Sequence, residues 1–230
     1  ARLRGGGSAS PGKLALLIEP RLLEKSLGEL QFGVVFVSGS NGKSTTTALV
    51  TAALRSQGLR VFSNPSGGNL PQGIASAVIG ECKLDGTVTA DIAVLEVDEA
   101  YGVLIANYLA PSWVVLTNVQ IDQLNRFYEP ERVLKMLAEA AATASKGVVI
   151  NGTDNNLLHL AEDLKDSQVF QVQVSQEALS KWPSGALAAP SFRKTSLQRN
   201  LPVSAHVLEE DGGVASIEVL GEISKITLPG

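Results

Sequence analysis

The sequence predicts an α/β protein in which a parallel sheet is flanked by helices and followed by a small antiparallel meander. Short apolar runs rich in β-branched residues alternate with helical patterns over residues 34–174, as in βαβ units around a buried sheet. A glycine-rich turn, SGSNGKS, joins the first of these runs to a long helical pattern. Residues 204–227 alternate between apolar and polar and contain an Asp-Gly-Gly turn, which is typical of β-hairpins.

The elements are predicted in the following order. Residues 1–12 are rich in Gly and Ser and predict a flexible lead-in, and the apolar spacing of residues 13–30 predicts one helix. This segment, 1–32, precedes a central domain over 33–230. Strands are predicted at 34–37, 59–62, 92–97, 113–117, 147–150 and 168–174, and helices at 44–56, 73–78, 99–107, 130–144 and 156–164. Residues 174–203 predict a loop or insertion, because they show little periodicity, and residues 204–230 predict antiparallel strands.

Composition limits the function classes. The 230 residues are 44% hydrophobic, which suffices for a core, and the net charge of −4 with scattered Lys and Arg predicts no nucleic-acid partner. Cys82 is the only cysteine, so the chain has no internal disulfide and no cysteine-rich zinc site. No apolar run reaches the roughly 18 residues that span a bilayer. We therefore predict a cytoplasmic protein without a transmembrane segment.

The turn after the first strand has the pattern of a phosphate-binding loop. Gly39 and Gly42 allow a tight turn whose N–H groups point at an anion, Lys43 supplies a positive charge, and the Ser44 hydroxyl suits Mg²⁺. The pattern G-x-x-x-x-G-K-[ST] is incomplete, since Val37 stands at its first glycine. A glycine-rich turn that binds nothing is the alternative. We predict a nucleoside triphosphate site.

Acidic residues end the strand over 92–97. Glu96 lies at the carboxyl end of this strand, where ligands bind in α/β sheets, and Asp98 and Glu99 follow it. We predict that Glu96 holds Mg²⁺ together with Ser44, because an unpaired buried carboxylate would be costly. The alternative is that these acids cap the next helix, and for Asp98 and Glu99 both interpretations stay open.

Two further segments follow predicted strands and supply candidate ligands. Residues 63–73, SNPSGGNLPQG, present Asn64, Gly67 and Asn69, although the composition also fits a solvated turn. Residues 117–127 present Arg126, which could stabilise charge on a transferred phosphate or be an ordinary surface arginine.

These motifs, in this order, resemble the Mur ligase family, the ATP-dependent amide-bond ligases of bacterial cell-wall synthesis. The resemblance rests on GSNGKSTTT, the Asn/Gly-rich loop, EVDEA and LTNVQIDQLNRF. Within the family the chain is most similar to the MurT branch, the synthetase subunits of lipid II isoglutaminyl synthase. The features specific to that branch are the spacing of Asn64, Gly67 and Asn69, the EVDEA sequence and the DQLNRF sequence.

The resemblance implies ATP and Mg²⁺ as ligands and assigns roles to individual residues. Lys43 and Glu96 are the expected catalytic residues, and Ser44 and Glu96 are the expected Mg²⁺ ligands. No zinc site is expected, because residues 175–230 lack the four cysteines that many proteins of this branch carry. Substrate contacts are expected from Asn64, Gly67, Asn69 and Arg126. Nucleotide contacts are expected from Gly39, Asn41, Gly42, Lys43, Ser44, Thr45 and, near adenine, Asn151.

The resemblance also implies a reaction and partners. The α-carboxyl of D-Glu in the stem peptide of lipid II would become an acyl phosphate, and ammonia from a glutaminase subunit of the GatD type would convert it to D-isoglutamine. Because lipid II is membrane-borne, a cytoplasmic protein peripheral to the inner face of the membrane is expected. The chain ends at Leu-Pro-Gly, so we expect the C-terminal ligase domain to lie outside it and the fragment to be inactive alone. The alternatives are an amino-acid-adding Mur-type ligase, a folate or cyanophycin ligase, and a P-loop ATPase or binding module that is not a ligase.

Overall fold

The structure is a computed structural model that describes residues 10–65, 67–120, 130–164, 168–175, 203–211, 214–219 and 221–227. Its helices are α1 Ser10–Ile18, α2 Leu22–Leu27, α3 Lys43–Ser56, α4 Pro71–Glu81, α5 Gly102–Tyr108, α6 Pro130–Ala141 and α7 Asn155–Asp163. Its strands are β1 Val34–Ser38, β2 Val61–Ser63, β3 Ile92–Glu96, β4 Trp113–Leu116, β5 Gly147–Asn151, β6 Val169–Val174, β7 Val203–Asp211, β8 Val214–Val219 and β9 Glu222–Thr227. The predicted α/β class is confirmed.

The strands form one sheet in the order β2-β3-β1-β4-β5-β6-β7-β8-β9. All pairs from β2 to β7 are parallel, and β7, β8 and β9 are antiparallel to one another in turn. The predicted meander is therefore an extension of the main sheet, because its first strand pairs in parallel with β6. Strand β1 lies between β3 and β4, so the segments that follow these three strands meet at one edge of the sheet.

The two faces of β1 pack into two separate hydrophobic clusters. Val34 and Phe36 belong to the larger cluster, and Val35 and Val37 belong to a smaller one that Val50 of α3 packs against. All five residues of β1 are buried, as expected for a parallel strand covered on both faces. Helix α3 therefore lies against the sheet beside the loop from which it starts.

The N-terminal segment differs from the prediction. Instead of one helix over residues 13–30 there are two, α1 and α2, because Pro20 lacks a backbone N–H and disfavours helical geometry in the residue before it. Residues 10–12 belong to α1 rather than to a flexible lead-in, and residues 1–9 lie outside the described residues. Gly12 is buried against α4, where its N–H donates to Ser76 Oγ at 2.9 Å.

Other boundaries also move. Helix α5 begins at Gly102, three residues later than predicted, because Asp98 and Tyr101 close a turn in front of it. Helix α6 ends at Ala141, before the predicted residue 144. Most of the predicted loop over 174–203 lies outside the described residues. Of its two ends, Val174 is the last residue of β6 and is followed by Ser175, and Val203 is the first residue of β7. Within the described part of the chain, no helix is both long and apolar enough to cross a membrane.

Candidate nucleotide-binding site

The loop between β1 and α3 is shaped by two glycines with positive φ. Gly39 has φ 131° and Gly42 has φ 80°, and both values lie where residues with a side chain are strained. Gly42 is the N-cap of α3 and has no side chain that could cap the helix, so the first N–H groups of α3 are not covered by a capping side chain. Ser44 and Thr45 in this first turn are exposed. The arrangement suits an anion such as a phosphate group.

Lys43 is folded back onto the loop. Its Nζ donates to the carbonyl oxygens of Gly39 at 2.5 Å and Ser40 at 2.9 Å, and it forms an ion pair with Glu99 Oε2 at 3.4 Å. The Lys43 side chain is 12% exposed and the Glu99 side chain is fully buried. The positive charge predicted for the loop is thus present, and it is paired with a carboxylate from the segment that follows β3.

Ser44 and Glu96, the two predicted Mg²⁺ ligands, are in contact. Ser44 Oγ donates to Glu96 Oε2 at 2.7 Å, and Asn69 Nδ2 donates to the other oxygen, Oε1, at 3.4 Å. A serine hydroxyl and a carboxylate are hard oxygen ligands of the kind that Mg²⁺ prefers when phosphates and water complete its shell. The donor set therefore fits Mg²⁺. Among the described residues there is no group of three or more His, Cys, Asp or Glu side chains that could hold a metal ion. Ligands from the nucleotide and from water would therefore be needed at this site.

Asn64 fixes the backbone of Glu96. The Glu96 N–H donates to Asn64 Oδ1 at 2.9 Å, and Asn64 Nδ2 donates to the carbonyl oxygens of Glu96 and Gly68, both at 2.9 Å. Asn64 is buried. Its amide is thus committed to holding the end of β3 and the loop after β2, a structural role that the sequence analysis did not predict.

Side chains that follow β4 hold the phosphate loop from the other side. Thr117 Oγ1 and Asn118 Nδ2 donate to the Asn41 carbonyl oxygen at 2.7 and 3.0 Å, and the Asn41 N–H donates to Asn118 Oδ1 at 3.0 Å. Asn41 Nδ2 donates to Gln120 Oε1 at 2.7 Å. The sequence analysis missed these contacts, which join residues more than 70 positions apart. The available signal was that polar residues follow the apolar run of β4 directly.

Asn151, at the end of β5, continues this network. Its Nδ2 donates to the Thr117 carbonyl oxygen at 3.0 Å, and its Oδ1 accepts from the N–H and Oγ1 of Thr153. Nearby, Asp154 caps α7 by accepting from Asn156 N, and it also accepts from Val119 N at 2.7 Å. Burial raises the pKa of the Asp154 carboxyl above its ordinary value. The adenine contact expected of Asn151 stays a prediction.

The remaining predicted residues are placed as follows. Gly67 has φ 79° and lies on the loop that carries Asn64 and Asn69. Neither Asp98 nor Glu99 is the N-cap of α5, which is Tyr101; the Asp98 carboxylate instead accepts from Ala100 N at 3.0 Å. Arg126 lies outside the described residues.

Comparison with known proteins identifies the family. The Mur ligase middle domain matches residues 37–222 of this chain. The chain belongs to the Mur ligase family. In this Mur ligase chain, the glycine loop, Glu96 and the polar residues after β4 all lie within the matched region.

The similarity to individual proteins is narrower in coverage. The MurT subunit of lipid II isoglutaminyl synthase (glutamine-hydrolyzing) from Streptococcus pneumoniae strain R6 is 36% identical over 155 residues, which are 67% of this chain and 34% of that protein. The UDP-N-acetylmuramate–L-alanine ligase of Paenarthrobacter aurescens is 36% identical over 126 residues, covering 53% of this chain and 25% of that protein. The predicted resemblance to the MurT branch is confirmed, although the chain spans only about a third of the MurT relative.

Solved structures agree on the fold. The crystal structure of MurF ligase from Thermotoga maritima in complex with ADP has a TM-score of 0.66 with this chain at 20% sequence identity. The match covers 98% of this chain and 45% of that protein. At this identity the similarity establishes the architecture alone.

Proposed function

We propose that this chain is the ATP-binding part of an ATP-dependent, amide-forming ligase of peptidoglycan synthesis. Its reaction would convert the α-carboxyl of D-Glu in the lipid II stem peptide to the amide of D-isoglutamine. The observation that carries this proposal is the 36% identity with a MurT subunit of lipid II isoglutaminyl synthase. The contacts among Lys43, Ser44 and Glu96 support the ATP-dependent part of it.

In the first step, a carboxylate oxygen of the substrate attacks the γ-phosphorus of ATP, the bond to the β-phosphate oxygen breaks, and ADP leaves. Lys43 and the N–H groups at the start of α3 would bind the phosphate oxygens and orient them. Ser44 and Glu96 would hold Mg²⁺, which offsets negative charge on the phosphates. The nucleotide site would be completed by Gly39, Asn41, Gly42 and Thr45, with Asn151 near adenine. The substrate would be contacted by Gly67, Asn69 and Arg126. Asn64, whose amide is committed to backbone groups, would act on the substrate side by holding the loop that carries Gly67 and Asn69.

In the second step, the nitrogen of ammonia attacks the acyl carbon, the carbon–oxygen bond to phosphate breaks, and the nitrogen loses a proton. A glutaminase subunit of the GatD type would supply the ammonia. The family match is to the Mur ligase middle domain, over residues 37–222. We therefore propose that a C-terminal ligase domain outside these residues completes the site, and that the chain alone binds ATP without amidating lipid II at the inner face of the membrane.

The test is an amidation assay on this chain and on a full-length protein that carries the proposed C-terminal ligase domain as well. Each is mixed with lipid II, ATP and Mg²⁺, together with either ammonium ions or glutamine and a GatD-type glutaminase. We expect ADP and a stem peptide amidated at the D-Glu α-carboxyl, located by mass spectrometry, from the full-length protein only. Failure of the full-length protein to form the amide with either nitrogen source would refute the proposal.

An amino-acid-adding Mur-type ligase is the second candidate, and the similarity to a UDP-N-acetylmuramate–L-alanine ligase favours it. A parallel reaction with an amino acid in place of the ammonium ions distinguishes the two, because that enzyme would use an amino acid and ignore ammonia. A P-loop ATPase that is not a ligase predicts ADP formation without any carboxylate acceptor. Strict dependence of ADP formation on lipid II would exclude it.

A further inference from the structure

Glu99 is a buried ionisable group that the proposed reaction does not use. Its side chain is fully buried, and its Oε1 has no hydrogen-bond partner in the described part of the chain. Its other oxygen, Oε2, lies 3.4 Å from Lys43 Nζ. Burying a carboxylate with one unpaired oxygen destabilises the fold, and the ion pair with Lys43 offsets only part of this cost. The presence of Glu99 beside the lysine of the phosphate loop therefore needs a functional explanation.

The contacts of Lys43 show what a phosphate group would meet. A lysine ammonium has three N–H donors, and here the acceptors are Gly39 O, Ser40 O and Glu99 Oε2. All three donors are therefore used by the protein itself. A phosphate oxygen can gain Lys43 only by replacing or sharing one of these acceptors.

Glu99 is the contact that a phosphate would weaken first. The two carbonyl contacts are 2.5 and 2.9 Å long, whereas the Glu99 contact is 3.4 Å long. Complete loss of Lys43 would leave the buried Glu99 carboxylate without its cation, which is strongly unfavourable. Because of this cost, we expect Lys43 to stay near Glu99 when phosphate binds. The negative charge of Glu99 would then oppose the negative charge of the phosphates at short range.

We propose that Glu99 is the counter-ion that positions Lys43 in the nucleotide-free loop, and that it lowers nucleotide affinity by competing with phosphate for this ammonium. The proposal rests on the proposed function to the extent that a nucleotide must bind at this loop. Glu99 is a positioning residue that acts through Lys43. The consequence is a site that releases its nucleotide more readily than the loop alone would.

The test is the variant Glu99→Gln of this 230-residue chain. The Kd values of ATP, ADP and AMP are measured by calorimetric titration, once with Mg²⁺ and once with EDTA. Glutamine keeps the shape and removes the charge, so we expect the Kd for ATP to fall about threefold to tenfold in both conditions. The gain should be smaller for ADP and absent for AMP, because it depends on phosphates near Lys43. A change confined to packing would not depend on phosphate number.

Asp91→Asn is the matched control. It changes the net charge equally, but Asp91 lies at the amino end of β3, opposite to Glu96, and pairs with Arg60. Its affinities should equal those of the wild type. If Glu99→Gln does not fold, Glu99→Leu, which fills the same buried space without charge, is judged by the same criterion.

Unchanged or weaker ATP binding by the Glu99 variant would overturn the proposal, and weakening seen only with Mg²⁺ would make Glu99 a metal ligand instead. If wild-type chain binds ATP and the variant gains nothing, only the counter-ion role is refuted. If wild-type chain binds no ATP at all, the proposed function and the counter-ion role are refuted together.

Discussion

The three hydrogen bonds of Asn64 make it the residue on which the position of Glu96 depends most directly. Two of them join the Asn64 amide to the backbone N–H and carbonyl oxygen of Glu96, and the third joins it to Gly68 O. Two substitutions separate the roles of shape and of hydrogen-bond donors. Asn64→Ala removes all three bonds, whereas Asn64→Asp keeps the shape and the oxygen that accepts from Glu96 N.

The expected magnitudes follow from these contacts. At about 1 kcal/mol for each buried hydrogen bond, Asn64→Ala should lower the free energy of unfolding by about 3 kcal/mol. In Asn64→Asp, a carboxylate oxygen replaces Nδ2 and faces the carbonyl oxygens of Glu96 and Gly68, so two attractive contacts become repulsive. Because the site is also buried, we expect Asn64→Asp to cost more than Asn64→Ala, about 4 kcal/mol or more.

Urea denaturation followed by circular dichroism at pH 7 measures these losses. Asn107→Asp, the same chemical change at an exposed position of α5, is the control and should stay within about 0.5 kcal/mol of the wild type. A smaller loss for Asn64→Asp than for Asn64→Ala would refute the reasoning, because it would mean that shape matters more than the two donated bonds. The Asn64 variants that remain folded should also bind Mg²⁺-ATP more weakly.

Three further predictions concern the loop and one surface ion pair. Gly39→Ala should lower the free energy of unfolding by about 3–5 kcal/mol, because the new methyl group would lie 2.4 Å from Thr117 Oγ1 and the residue has a φ of 131°. The control is Gly58→Ala, where φ is also positive but the space is open, and it should cost about 1 kcal/mol. Equal losses for the two variants in urea denaturation would contradict the clash. Lys43→Ala should weaken ATP binding at least tenfold by calorimetry, and unchanged affinity would refute the phosphate role. Lys135→Ala, at an exposed side chain of α6, is the control and should leave the affinity unchanged. Hydrogen bonding to Arg60 lowers the pKa of Asp91 from 3.8 to about 2, so the Asp91 carboxylate stabilises the fold above about pH 3.8 and this contribution is lost as the pH falls toward 2. Asp91→Asn should therefore make the melting temperature depend less on pH between about 4 and 2, and the same pH dependence as in the wild type would contradict this.

Strands β1 and β3 could be predicted because both of their faces are buried. The five residues of β1 and the five of β3 are all buried, and each strand appears in the sequence as four apolar residues followed by one polar residue. Helix boundaries were predicted less well where they depend on single contacts. The break at Pro20 was visible in the sequence, but the turn closed between Asp98 and Tyr101 depends on how the end of β3 is held.

The candidate site was predictable where chemistry is concentrated in a short segment. The order of Gly42, Lys43 and Ser44 after an apolar strand indicates a phosphate loop, and the position of Glu96 at a strand end indicates the same edge of the sheet. The supporting contacts were not predictable. The partners of Asn64 and Asn41 lie 32 and 77 positions away, and only the strand order β2-β3-β1-β4 brings them together.

The same strand order divides the site into a fixed part and an adjustable part. Glu96 is held at its backbone by Asn64 from the β2 side, and Asn41 is held at its backbone and side chain by residues after β4. The position of the loop backbone and of the carboxylate strand is therefore set by the fold. Lys43, by contrast, is held through its flexible side chain, by two carbonyls and one carboxylate. Nucleotide binding should accordingly rearrange the Lys43 ammonium and leave the loop backbone in place.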